Sequence, residues 1–373
     1  GNTGYGYGDT ELVAYSERLQ VLFAEQLRSG ATVGAAMMAA KQAYFSELTA
    51  VSTYDAKVLS EWTLYGLPMW QVGGDYGTGQ DAPAPPSDGP FLPPSSVVQP
   101  PVELTIGSTG PNGLSLNTTD GGDYYDQFGN TIAAQFRPVQ PSAERDVTVP
   151  GRRAHGVLIT DAESEDLPGF EPYFARPLID QSDNEVLLDV IGDAVFPTTL
   201  ARVTNTVQAD GTILSKKTLA LGQFRRDIGA TPGEGTQRLF KRRDTEVTYA
   251  DPSVKDIDAP RIVRSEGSVV DETVGFTIRT AKDATRVFVL YKIVRPGITD
   301  WAGVDLVNTG AECSGSPCES SDPDVDTLIW TGGAVLPEPD LRIEFLGQVS
   351  DMFGNFSYTV NKTSNYLAAP AED

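Results

Sequence analysis

Between Gly73 and Pro101 the chain runs GGDYGTGQDAPAPPSDGPFLPPSSVVQPP, which holds eight of its 26 prolines. Proline has no amide hydrogen and a fixed φ, so neither a helix nor an interior strand continues through such a run. The stretch is expected to be a semi-rigid, extended linker. It divides the chain into parts of different periodicity. Before it, apolar residues recur at helical spacing. From Val102 onward that spacing disappears, and short alternating runs follow: VELTI, DVTVP, HGVLIT, LARVTNTV, TEVTYA. The fold class expected is multidomain, an α/β portion followed by all-β domains.

Three helices are expected in the first part. Leu12, Leu19, Leu22, Phe23 and Leu27 form one apolar stripe on a helix beginning near Thr10, and Gly30 stands where a C-terminal cap belongs. Thr32 caps a second helix, whose stripe is Val33, Met37, Ala40 and Tyr44. Ser52 and Asp55 make a capping box for a third, which carries Val58, Leu59 and Trp62. LYGLPMWQV then leaves through Gly66 and Pro68 into a short apolar strand. Loop, helices and returning strand make half of a layered α/β domain. Such a sheet needs parallel neighbours, so the domain is expected to be incomplete as given.

The β region divides at DIDAPRIV. Residues 102–258 read as one β-sandwich-like domain with a hairpin at Ala209, Asp210 and Gly211. Residues 259–367 read as an immunoglobulin- or fibronectin-like sandwich, with GFTIRT, RVFVLYKIV, DTLIWTG and LRIEFLGQVSD as strands and DMFGN as a hairpin.

Charge and reactive side chains exclude several functions. Lys and Arg number 28 against 51 Asp and Glu, a net charge of −23 that repels phosphate backbones, so nucleic acid is not an expected partner. No apolar run approaches the length of a membrane span. Cys313 and Cys318 lie in CSGSPC, and the only histidine, His155, is far away in sequence, too few ligands for zinc. A short-loop disulfide is expected instead, which implies an oxidising, extracytoplasmic setting. There is no GxSxG elbow and no HExxH, and His155 in RRAHGVLIT reads as a structural donor. Calcium is the one ion the acidity invites. SDPDVD fails as an EF-hand, because Thr327 and Gly333 stand at its sixth and twelfth positions. Asp120, Asp123 and Asp126 in DGGDYYDQFGN suit either a weak calcium or, more plainly, a solvated loop.

The opening GNTGYGYGDT alternates Gly4, Gly6 and Gly8. A dinucleotide fingerprint would need glycine where Asp9 stands, and a Walker loop would need Lys followed by Ser or Thr. What is left is a backbone free to take positive φ and to approach a ligand, with Tyr5 and Tyr7 as walls and Asp9 or Thr10 capping the helix. It carries no Met, basic stretch or apolar signal region, so a preceding segment is expected.

Taken in order, GNTGYGYGDTELVAYSERL, VGAAMMAAKQAYF and YDAKVLSEWTLYGLPMWQV resemble the C-terminal end of the catalytic domain of gingipain-like cysteine peptidases, which have a caspase-like α/β fold. The resemblance covers residues 1 to about 72. Later stretches, from GQFRRDIGATPGEG and from RVFVLYKI onward, look like the β modules that trail such peptidases. The resemblance implies a secreted multidomain endopeptidase acting on peptide or protein, with catalytic Cys and His before residue 1 and neither assigned here. By loop placement it puts Tyr5, Gly6, Tyr7 and Asp9 beside the substrate. The β domains would space the enzyme from a cell surface or bind a partner there. The competing reading is a non-enzymatic surface protein with a degenerate caspase-like scaffold.

Overall fold

The computed structural model describes residues 6–8, 12–28, 30–48, 51–72, 92–134, 136–175, 195–208, 211–226, 233–254, 256–313, 327–359 and 366–369. The helices are α1 (Ser16–Arg28), α2 (Val33–Glu47) and α3 (Thr53–Glu61). Their stripes meet in one cluster in which Leu19, Leu22, Met37, Ala40, Tyr44, Val58 and Trp62 are buried. The Phe23 ring meets Trp62 edge-on at 5.1 Å. Helix ends leave backbone donors that local side chains satisfy. Thr32 accepts from the Ala35 amide, and Ser52 and Asp55 form the reciprocal box. Gly30 takes the left-handed φ of 87° that a chain leaving a helix requires.

Two expectations for this part fail. First, α1 begins at Ser16, not near Thr10. The Ser16 amide donates to the Tyr7 carbonyl at 2.9 Å and the Tyr7 amide donates to Ser16 Oγ at 3.1 Å, so the opening loop itself closes the helix start. Tyr15 turns the chain at φ 54°, and Leu12 leaves the helix to pack between two apolar clusters. The expected caps, Asp9 and Thr10, lie outside the described residues. Second, LYGLPMWQV is no strand beyond one isolated antiparallel bridge, Thr32 to Gln71. It crosses the start of α2 instead, where the Trp70 and Pro68 carbonyls accept the Val33 and Gly34 amides at 2.6 and 2.8 Å. Among the described residues this part holds three helices and no ladder, so the expected α/β layering is absent from it. The molecule is mostly β.

The central unit comprises β1 (Ser95–Glu103), β2 (Thr105–Ile106), β3 (Gly113–Thr119), β4 (Gly122–Asp126), β5 (Thr131–Ile132), β6 (Gln140–Asp146), β7 (Arg153–Phe170), β8 (Ala201–Val207), β9 (Ile213–Ala220), β10 (Gly222–Arg226) and β11 (Gly235–Ala250). β1 occupies the end of the stretch expected to be linker. Among the described residues it pairs only with β11, and its register slips between Gln99 and Val102, where Pro100 and Pro101 cannot donate. β11 also pairs antiparallel with β10 and β7. A second sheet runs β5-β6-β9-β8, a third β2-β3-β4. The β8–β9 hairpin is where expected, with Gly211 at φ 84°. Leu158, Ile159, Leu219, Leu239, Phe240 and Val247 are buried in the shared core.

The long β7–β11 pair is also a charge ladder. Asp161, Glu163 and Asp166 of β7 face a basic stretch of β11: Arg242 reaches Asp161 at 2.8 Å, Lys241 reaches Glu163 at 2.8 Å and Arg238 reaches Asp166 at 2.6 Å. Cross-strand opposite charges favour this register over its neighbours. Inside the unit, Lys217 is buried and donates to Thr245 at 2.7 Å; burial pushes its ammonium down to about 8. Arg243 is buried against the Phe240 ring, 3.4 Å from its centroid, and burial pushes it down to about 9, still protonated at neutral pH.

The last unit contains β12 (Ile262–Val270), β13 (Thr273–Ala281), β14 (Arg286–Ile293), β15 (Asp300–Cys313), β16 (Thr327–Val335), β17 (Ile343–Ser350), β18 (Phe356–Tyr358) and β19 (Tyr366–Ala368). β12-β13-β16 form one sheet, while β14 and β17 pair in the other. β15 belongs to both: residues 302–306 pair with β14, and the strand then crosses to β16. Val274, Phe276, Val287, Val289, Trp330, Phe345 and Val349 fill the space between the sheets. The opposite faces of the same strands are buried too. Phe288, Leu290 and Leu346 belong to the core of the central unit. An unbroken run such as RVFVLYKI therefore serves two cores, the pattern of a strand covered on both sides. Between them the Gln348 amide pairs with Ile159 like a strand, accepting its N–H at 2.8 Å and donating to its carbonyl at 2.7 Å.

Candidate functional site at the helix–sandwich seam

The helices sit on the outer face of the four-stranded sheet. Thr204 Oγ1 of β8 donates to Ser46 Oγ of α2 at 2.7 Å. Arg18 of α1 holds Glu47 of α2 through two bonds of 2.9 and 2.7 Å. Its Nη2 also lies 3.9 Å from Glu144 of β6, whose other oxygen is 3.4 Å from Lys216. Beside this network lies a cavity of about 250 Å³, lined by Tyr15, Arg18, Tyr44, Glu47, Tyr124 and Glu144 among others. Burial pushes the Glu47 carboxyl up, with Glu144 adding to the push, and the bonds from Arg18 only partly oppose it. Burial likewise pulls Arg202 down to about 10, against the attraction of Glu47. Acid and base are thus held together in a partly dry seam with tyrosine walls. Among the described residues, no cysteine or histidine lines it.

Behind the cavity, buried Tyr44 donates to Asp55 at 2.7 Å, and the other Asp55 oxygen accepts from the Ser52 amide at 2.9 Å. Burial raises the Tyr44 phenol, and the Asp55 carboxylate raises it further. Asp55→Ala removes both acceptors. It is expected to destabilise the helical part by about 2–3 kcal/mol, read from the helical signal on thermal unfolding.

Of the residues assigned to the substrate side, Tyr5 and Asp9 lie outside the described residues. Gly6 is exposed. Tyr7 is half-buried, its ring edge-on to Tyr54 at 5.2 Å, with Lys57 Nζ 5.5 and 5.3 Å from the two ring centres. Tyr7 thus packs against α3 and is not among the residues that line the cavity. His155 stands on β7 at the other seam, bonded to Asn355 at 3.0 Å.

Asp126 accepts from Asn117 at 2.6 Å and from the Gly129 amide at 2.8 Å, which makes it a turn-forming group. Among the described residues no cluster of three or more His, Cys, Asp or Glu is placed to hold a metal ion. SDPDVD lies wholly outside them, as does Cys318, and of Cys313 only the backbone is described. The seam network escaped sequence reading because Arg18, Glu47 and Glu144 carry no local signal; only packing brings them together.

No family model and no curated protein matches the chain. Among solved structures it is weakly similar to a chain of the complex of Porphyromonas gingivalis RgpB pro- and mature domains. The identity is 16% over 44% of this chain and 84% of that one, with a TM-score of 0.28. A likeness of that size carries neither fold nor activity.

Proposed function

We propose that this chain is the C-terminal part of a secreted, multidomain, gingipain-like cysteine endopeptidase whose catalytic Cys and His lie outside it. The observation that carries the reading is the face left open by the helices. Tyr65, Leu67, Met69, Trp70 and Val72 are 55–78% exposed, in the segment whose sequence resembles the closing strand of such a peptidase. A contiguous apolar run in water marks a surface meant to be covered. In this reading a preceding segment of the same polypeptide covers it and completes the catalytic domain. Tyr5, Gly6, Tyr7 and Asp9 then border the substrate, with the Tyr7 ring braced by Tyr54. The β units act as a rigid spacer or a surface-binding module. Cys313 and Cys318 are bridged, in keeping with an oxidising exterior.

Labelling of the native protein with a thiol-directed peptidyl inhibitor tests this. One labelled cysteine is expected, outside residues 1–373. Cys313 and Cys318 should stay unlabelled even when the chain is denatured without reductant. Absence of any labelled thiol would favour a non-enzymatic surface scaffold; two free thiols in the denatured chain would remove the disulfide.

A further inference from the structure

We propose that His155 and the turn at 351–355 form a latch between the two β units that acid releases. His155 projects from β7 of the central unit, and the turn joins β17 to β18 of the last. The Asn355 amide is fixed in orientation, because its Nδ2 donates to Asp351 Oδ2 at 2.7 Å and to the Asp256 carbonyl at 3.3 Å. Its Oδ1 therefore faces His155 Nδ1, 3.0 Å away, and that nitrogen carries the proton. Asp351 in turn accepts the Phe353 and Asn355 amides at 2.8 and 2.9 Å. With Nδ1 as donor, the second ring nitrogen is left as a lone pair, and it is buried with no hydrogen-bond partner. A proton added there creates a buried N–H with no acceptor and a charge on a partly buried ring.

The charged groups around the ring come from three elements: Arg153 beside it on β7, Asp351 in the turn, and Asp256 in the segment between the units. Burial dominates and pushes the imidazole below its usual value, and Arg153 reinforces this. The Asn355 bond, Asp351 and Asp256 pull the other way. The closed joint therefore binds fewer protons than the open one. Its stabilisation is complete above about pH 6.5 and is withdrawn as pH falls from there through the lower value of the closed state.

The rest of the joint keeps the release local. Thr248 Oγ1 donates to the Gly354 carbonyl at 2.7 Å and Ser357 to the Pro260 carbonyl at 2.6 Å, while Tyr358 donates to the Val157 carbonyl. At Gly156 a side chain would stand 2.3 Å from the Gly354 oxygen, so the two backbones meet directly. β14 and β17, buried on both faces, hold the units together while the turn lifts.

The test is hydrogen exchange of the folded chain near pH 7.5 and pH 5, corrected for the intrinsic rate. Protection over 351–358 is expected to fall about tenfold or more at the lower pH, while 286–293 stays protected. His155→Asn preserves the donor to Asn355 and cannot titrate, so its protection should be the same at both values. Equal protection of the wild-type turn at both values, or equal loss in the Asn variant, overturns the latch. Should the variant fail to fold, the lone imidazole resonance decides: titration below about 6.5 supports the latch, and titration at or above it overturns it.

Discussion

Arg238→Ala is expected to destabilise the folded chain by about 3–5 kcal/mol. Arg238 sits where the central and last units meet. Its guanidinium makes two bonds to Asp166, of 2.6 and 2.8 Å, and two to Glu344, of 2.6 and 2.9 Å. Lys292 stands 3.5 Å from Asp166, and the indole of Trp301 lies under Arg238 at 5.2 Å. Burial alone would lower the Arg238 pKa, but Glu344 and Asp166 more than offset it and hold the guanidinium charged. Removing the arginine takes away two short bonds to Glu344, whose side chain is 8% exposed, and leaves that buried carboxylate the more distant attraction of Lys292. The penalty is the poorer compensation of a buried charge, more than the lost pair itself. The check is urea unfolding of the single variant beside the double variant Arg238→Met, Glu344→Leu. The double variant should recover most of the loss. A single-variant loss under about 1 kcal/mol would place the pair in the class of screened surface ion pairs.

Phe345→Ala and Leu346→Ala should each cost about 3–5 kcal/mol, although the two side chains point opposite ways. Phe345 is fully buried between the sheets of the last unit, with its ring 5.0 Å from Phe276. Leu346, 1% exposed, belongs to the core shared with the central unit. Because one strand serves both cores, each variant is expected to lower a single unfolding transition. A scan in which Leu346→Ala splits that transition in two would show that the units fold independently.

What could be read from sequence lay within a few residues of its own cause. The caps at Thr32 and Ser52–Asp55, the turn at Gly211 and the helical stripes are set by neighbours on the same turn or hairpin. The start of α1 was misplaced because the groups that satisfy it come from Tyr7, nine residues away through a bend at Tyr15. β1 was hidden because prolines argue against a strand. They are tolerated here on an edge, at a slip in register. The seams were beyond reach for a different reason. Arg238 is 72 residues from Asp166 and 106 from Glu344, and single-sequence patterns hold no register over such spans. The acidic run DAESED and the basic run RLFKRR were in plain view, but only the β7–β11 pairing makes them one ladder.

Peptide turnover, measured in parallel on residues 1–373 alone and on the native protein that carries them, bears most directly on the proposed role. Residues 1–373 should cleave no peptide, and the native protein should cleave peptides and lose that activity to a thiol reagent. Cleavage by residues 1–373 alone, abolished by changing His155, would contradict the assignment of the catalytic pair to a segment outside this chain.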